Sequence, residues 1–170
     1  MAFATLNDVF ADQITDLYSA ETQLIAALPR MAAAADDARL QEALRDHLEQ
    51  TRNHVERLRH IVTDCGIAKL ARECEGMAGL LVEGEEVVRV PGAGPAKDAA
   101  IIAAAQRVEH YEIAAYGSAR TMAQELGFSD ARDLLDETLT EESHADTVLT
   151  KLATGGLFRS GVNAAAAPAR

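Results

Sequence analysis

Glu109 and Glu112 share a helical stripe with Ile102, Ala105, Tyr116, Ala119, Ala123 and Leu126. Those positions step by three and four, the spacing of a helix face turned toward a bundle core. A carboxylate pair on such a face is costly, because burial disfavours the charged forms and the two charges repel. A shared cation relieves both costs. Three other stripes break in the same manner. Glu21 stands between Leu17 and Leu24, His47, Thr51 and His54 stand between Leu44 and Leu58, and Glu142 stands between Thr138 and Ala145. Arranged around one axis, Glu21, His54, Glu109, Glu112 and Glu142 converge at similar depth, with His47 and Asp146 beside them. Carboxylates plus imidazole in a helical core suit a pair of divalent iron or manganese ions. Bridging carboxylates hold the ions, imidazole supplies a neutral ligand, and an open position admits dioxygen or peroxide.

Each residue also has an ordinary reading. A single interior glutamate such as Glu21 is commonly a boundary residue bonded to a neighbour, and a single His54 or His47 is commonly a satisfied core histidine. Tyr18, Tyr111 and Tyr116 are most simply packing groups, although Tyr116 is placed to hydrogen-bond a ligand carboxylate. Glu141 and His144 form a second acidic-imidazole pair, but Glu142 fits the apolar stripe better. The joint convergence outweighs the single readings, because four stripes break at one level.

These residues need long helices to position them. The first starts near Thr5 or Asn7, either of which can cap it, and buries Phe10, Ile14, Leu17, Leu24, Leu28 and Met31, with a kink expected at Pro29. Asp36-Asp37 marks a connection and an N-cap. The second helix spans about 38–63 and stops at Gly66; Glu49 and Glu56 lie off its stripe and read as solvated. A short helix over about 71–88, weakened by Gly76, Gly79 and Gly84, leads to a loop at Val90-Pro91-Gly92-Ala93-Gly94-Pro95. The third long helix covers about 96–126 and ends at Gly127, and a cap at Ser129 or Asp130 opens the fourth, over about 131–153. Residues 64–97 are too long for a tight helical turn, so they carry the chain along the bundle. The expected architecture is an all-α four-helix bundle over 1–155 with a long crossover carrying a short extra helix, followed by a flexible tail over 156–170.

Bulk composition agrees. The chain has 170 residues, no Trp, four Phe and three Tyr, enough for one cored domain and poorly suited to a β-sandwich. A formal net charge of -11 disfavours nucleic acid and anionic membrane as partners. Cys65 and Cys74 form no zinc framework, and a chain that needs no disulfide fits a reducing cytoplasm. No basic segment followed by an apolar run opens the sequence, so no secretory leader is expected, and no apolar run approaches the ~20 residues of a membrane helix.

The segments Tyr18-Ser19-Ala20-Glu21-Thr22-Gln23-Leu24, His47-Leu48-Glu49-Gln50-Thr51, Val108 through Tyr116, and Thr138-Leu139-Thr140-Glu141-Glu142 resemble the YciE/YciF (DUF892) family of ferritin-like proteins, over about residues 5–155. The chain is more distantly similar to rubrerythrin. The resemblance implies a ferritin-like bundle, a homodimer and a stress-associated bacterial protein. In the rubrerythrin pattern the first helix's glutamate falls on Glu21 and the E-x-x-E pair on Glu109 and Glu112. The two E-x-x-H motifs survive in part: Thr51 precedes His54, and Ala145 follows Glu142. One metal, a weakened pair, or rescue by His47 and Asp146 are the resulting options, and the cofactor expected is iron, as two ions, or manganese, with full or partial occupancy both open. No Cys-x-x-Cys is present in these residues, so a rubredoxin-type electron-transfer part is not expected. Two functions follow: a metal-dependent protein that handles peroxide, dioxygen or iron, with di-iron oxidase or peroxidase-like turnover as its enzymatic form, or a non-enzymatic dimeric stress or interaction protein with a degenerate site.

Overall fold

Thr5 opens the first helix with a capping box: its Oγ1 accepts the Asp8 N–H at 3.3 Å, and the Asp8 carboxylate accepts the Thr5 N–H at 2.8 Å. The computed structural model describes residues 3–68, 72–156 and 159–168. Its long elements are α1 (Leu6–Ala34), α2 (Ala38–Asp64), α4 (Pro95–Glu125) and α5 (Ser129–Thr154), with the shorter α3 (Glu75–Arg89) in the crossover. Helix α1 continues through Pro29 to Ala34, and Asp37 caps α2 through its side chain.

The C-terminal ends of α2 and α4 use the same device. Gly66 and Gly127 take left-handed φ values of 63° and 74°. The next residue then bonds back: Ile67 N–H to Val62 O and Phe128 N–H to Ala123 O, each at 2.9 Å. Phe128 therefore occupies the N-cap position of α5, ahead of the expected Ser129 or Asp130. Its ring lies 5.6 Å from that of Phe10, so apolar packing fixes this turn.

Around the bundle the helices run α1–α2–α5–α4, each in contact with the next and α4 closing back on α1. Because α2 is not followed by its neighbour in sequence, the chain must cross over, and α3 does so against α1 and α4. Helix α3 starts at Glu75, later than the expected position near 71, which lies outside the described residues. Gly76 is required by packing: a Cβ there would sit 2.8 Å from Tyr111 Cε2. The crossover is anchored by two buried charges at the start of α4. Lys97 Nζ donates to Val88 O at 2.7 Å and Val90 O at 2.5 Å. Asp98 accepts the N–H groups of Asp36 and Asp37 at 2.7 and 2.9 Å.

The core divides in two. Leu24, Leu28, Leu40, Leu44, Met77, Ile101, Ile102 and Leu149 fill one end, and Phe10, Ile14, Leu17, Leu58, Ile61, Tyr116, Ala119 and Leu135 fill the other. Between them lies a polar waist. The tail expected to fray is instead structured where described. Gly155–Gly156 (β1) pairs antiparallel with Arg159–Ser160 (β2), and α6 (Val162–Ala166) buries Val162 against the core end formed by α4 and α5. One apolar residue suffices to dock it, a signal too small to stand out in an Ala-rich segment. No helix among the described residues is long and apolar enough to cross a membrane.

Asp98→Asn keeps the side-chain size but turns an amide toward two backbone N–H donors. It is expected to cost about 1.5–3 kcal/mol in urea unfolding; an unchanged midpoint would show that the crossover is held elsewhere.

Candidate metal centre

Every long helix contributes to the waist. Helix α1 supplies Glu21, α2 supplies His47, Thr51 and His54, α4 supplies Glu109 and Glu112, and α5 supplies Thr138 and Glu142; all are buried. Their stripes run into the core because flanking positions three and four away are apolar. Two groups of ligand atoms result, each within 4.8 Å of one another: His47 with Glu109, Glu112 and Glu142, and Glu21 with His54 and Glu142. Glu142 belongs to both.

Most of these inward atoms lack hydrogen-bond partners. Glu21 Oε2, His47 Nε2, His54 Nδ1, Glu109 Oε2 and both oxygens of Glu112 and of Glu142 are unsatisfied. Buried polar groups are rarely left so. His54 Nδ1 lies 2.9 Å from Glu142 Oε1 and 3.2 Å from Glu21 Oε1 without hydrogen-bond alignment. His47 Nε2 lies 3.5 Å from Glu109 Oε1 and 3.8 Å from Glu142 Oε2. Hard carboxylate oxygens mixed with borderline imidazole nitrogens, unpaired and facing one another, fit a divalent cation.

The outer face of each imidazole is engaged. His54 Nε2 donates to Glu141 Oε2 at 2.8 Å, since a carboxylate can only accept. Arg57 holds that carboxylate with two bonds, 2.5 Å from Nη1 and 3.1 Å from Nη2. His47 Nδ1 lies 3.4 Å from Gln50 Oε1, a weak contact of the same sense. Donation at the outer nitrogen leaves the inner one free to ligate, the usual way proteins orient metal-binding histidines. Tyr116 OH donates to Glu21 Oε1 at 2.5 Å, whereas Tyr111 turns aside and donates to Asp16 at 2.8 Å.

The electrostatics of the waist show the same need for positive charge. Burial, reinforced by Glu142 and by neighbouring carboxylates, pushes Glu109 and Glu112 well above the usual carboxylate range. Burial also raises Glu21, against the pull of His54. For Glu142 burial acts upward, but His54 and His47 bring it below the ordinary value. His54 is opposed by burial yet held up at about 10 by Glu142 and Glu21. The waist therefore favours the protonated forms of the His54 imidazole and of the α4 carboxylates.

The structure brings Glu21, His47, His54, Glu109, Glu112 and Glu142 together and sets Asp146 apart. Asp146 is half-buried, accepts from Gln106 Nε2 at 2.9 Å and lies 3.2 Å from His110 Nε2. It belongs to neither ligand group. Four residues advance about 40° past a full turn, which swings it toward the outer side of α4. His144 is exposed and also outside both groups. Glu141 was a candidate ligand by sequence; its carboxylate is instead taken up by Arg57 and His54. Arg57 and Gln50 were not legible as site residues, and the only sequence signal for either is its position three residues from a waist histidine.

An all-α bundle in this cyclic order, with a carboxylate–histidine waist fed by all four long helices, is of the ferritin-like class. The chain belongs to the DUF892 family, described as a domain of unknown function, whose match covers residues 5–167. Protein YciF of Escherichia coli K12 is 42% identical over 166 residues, 97% of this chain and 100% of that protein. The crystal structure of the E. coli stress protein YciF superposes with a TM-score of 0.85 at 44% identity, covering 88% of this chain and 94% of the other. YcfI from Rhodopseudomonas palustris, offered as a structural protein, gives 0.82 at 37% identity over 89% and 96%.

The shifts set a pH dependence. His54, raised from 6.5 to about 10, contributes stability that is complete below pH 6.5 and lost as pH rises toward 10. The raised Glu109 and Glu112 act in the same direction, since the folded state holds protons the unfolded state releases. The lowered Glu142 loses its contribution only below the ordinary carboxylate range. Chelator-treated protein is therefore expected to lose on the order of a few kcal/mol between pH 6.5 and 10, read as a falling Tm. A flat or rising Tm would contradict the buried-proton account.

Proposed function

We infer that the waist is a carboxylate-bridged metal centre holding two divalent ions, iron or iron with manganese, and that the protein handles peroxide, dioxygen or iron during stress. The observation that carries this reading is the pair of unsatisfied ligand groups sharing Glu142. Glu142 belongs to both groups and would help to hold both ions. Bound there, the metal would supply a redox centre and Lewis acid at which peroxide or dioxygen can react. The chain's own part is positional. Tyr116 fixes one oxygen of Glu21, Glu141 and Arg57 fix the His54 ring, and two apolar core ends flank the ligands. The reading extends to a homodimer acting in the cytoplasm, on the resemblance to stress proteins of this family and on YciF, named a stress protein.

Thr51 and Ala145 favour a second reading, a non-enzymatic dimeric stress or interaction protein. They stand where the rubrerythrin-like pattern has ligands, and Thr51 Oγ1 is spent on His47 O at 2.9 Å.

Metal analysis by mass spectrometry of protein grown with iron and manganese separates the two. About two ions per chain are expected for a shared-carboxylate pair, falling by half or more in Glu109→Ala with an unchanged helical spectrum. Protein that carries no iron or manganese, even after anaerobic loading, and whose Tm ignores chelator supports the non-enzymatic reading. Gel filtration at twice the chain mass is expected for the dimer; a monomer peak at micromolar concentration removes that part of the proposal.

A further inference from the structure

A cavity of about 130 Å³ reaches the waist between α2 and α5. His47 and Glu109 form its inner wall. Ala43 and Leu44 of α2 and Ala145, Val148 and Leu149 of α5 form its sides, and Asp46, Gln50 and His144 stand around it. Asp46 and His144 are exposed. The waist residues are graded toward this cavity: His47 is 4% and Glu109 2% exposed, against 0% for Glu21, His54, Glu112 and Glu142. Each of these two lining residues carries an unpartnered atom, His47 Nε2 and Glu109 Oε2.

We propose that this cavity is the entrance by which a partly hydrated divalent cation reaches the waist, passing from Asp46 and His144 at the rim to His47 and Glu109 inside. The proposal rests on the metal-centre reading and adds the route. The exposed lining residues can ligate, as can the buried His47 and Glu109, and apart from Gln50 the other lining side chains are apolar. A carboxylate and an imidazole at the rim can replace part of a hydration shell, and the same pair of chemistries waits inside. Between them the alanines keep the passage wide. The volume has room for several water molecules, so the ion need not be stripped before it reaches replacement ligands. Ala145 is the decisive wall residue. It stands one turn after Glu142, where a longer side chain would project across the opening. An alanine there costs a ligand but leaves a door, which gives the departure from E-x-x-H a physical use.

The test follows Co2+ uptake by chelator-treated full-length protein, using cobalt absorbance in stopped flow and final content by mass spectrometry. Ala145→Leu is expected to slow uptake by about tenfold, a barrier increase near 1.4 kcal/mol, with final content unchanged. D46N/H144A, which leaves the walls intact, is expected to slow it severalfold. Should A145L lower the final content, Ala43→Leu on the facing helix serves as the wall variant. Uptake at the wild-type rate in the wall variants, with normal final content, overturns the entrance alone. Wild-type protein that takes up no Co2+ overturns the metal centre and the entrance with it.

Discussion

Four glutamates share one water-poor waist, and positive charge has to meet them there. Glu21, Glu109, Glu112 and Glu142 are buried with most of their inward oxygens unbonded. Burial penalises each charge separately, and proximity penalises them again as a group. Protons on His54 and on the α4 carboxylates can meet the demand, as the raised His54, Glu109 and Glu112 show. Divalent ions would meet it by displacing those protons, which couples metal binding to proton release. The arrangement is therefore poised between two neutralised states and is costly only when neither is available.

Much of the fold serves that waist. Two apolar ends sandwich it, so the helices cannot rotate a polar residue outward without exposing Leu, Ile or Phe on both sides. The cyclic order of helices places α2 beside α5, which is what lets Arg57 and Glu141 clamp His54 across that interface. That order requires the crossover, and the crossover is held by Lys97 and Asp98, whose charges are spent on backbone groups at the ends of α3 and α2. Helix termini leave such groups unpaired by necessity. A polar anchor at one end of the bundle thus supports a polar centre in its middle.

The asymmetry of the two ligand groups also has a structural source. Around His54 the outer nitrogen is gripped by a carboxylate fixed by arginine, and Glu21 is gripped by Tyr116. Around His47 the outer contact is a longer one to Gln50, and the cavity approaches from the same side. The Glu21 and His54 half is the more tightly hydrogen-bonded and the more enclosed. The His47 and Glu109 half has the longer outer contact and lies nearer solvent.

The periodicity of apolar residues determined the four long helices, their approximate ends and the four interrupted stripes, because burial of a helix face writes a three-and-four spacing directly into the chain. That spacing also separated Glu142 from Glu141 and left Glu49 and Glu56 in solvent, where the structure has them. Only tertiary structure decided which residues met. Asp146 shares helix α5 with Glu142 yet bonds Gln106, since a modest rotation about the helix axis sends it to a different neighbour. Glu141 became a support for His54 because α2 lies against that face of α5. The tail docked through Val162, and Phe128 rather than a polar residue took the N-cap of α5. A sequence records which face of each helix prefers the interior. It does not record how neighbouring helices are turned against one another, and hydrogen bonds between them depend on that angle.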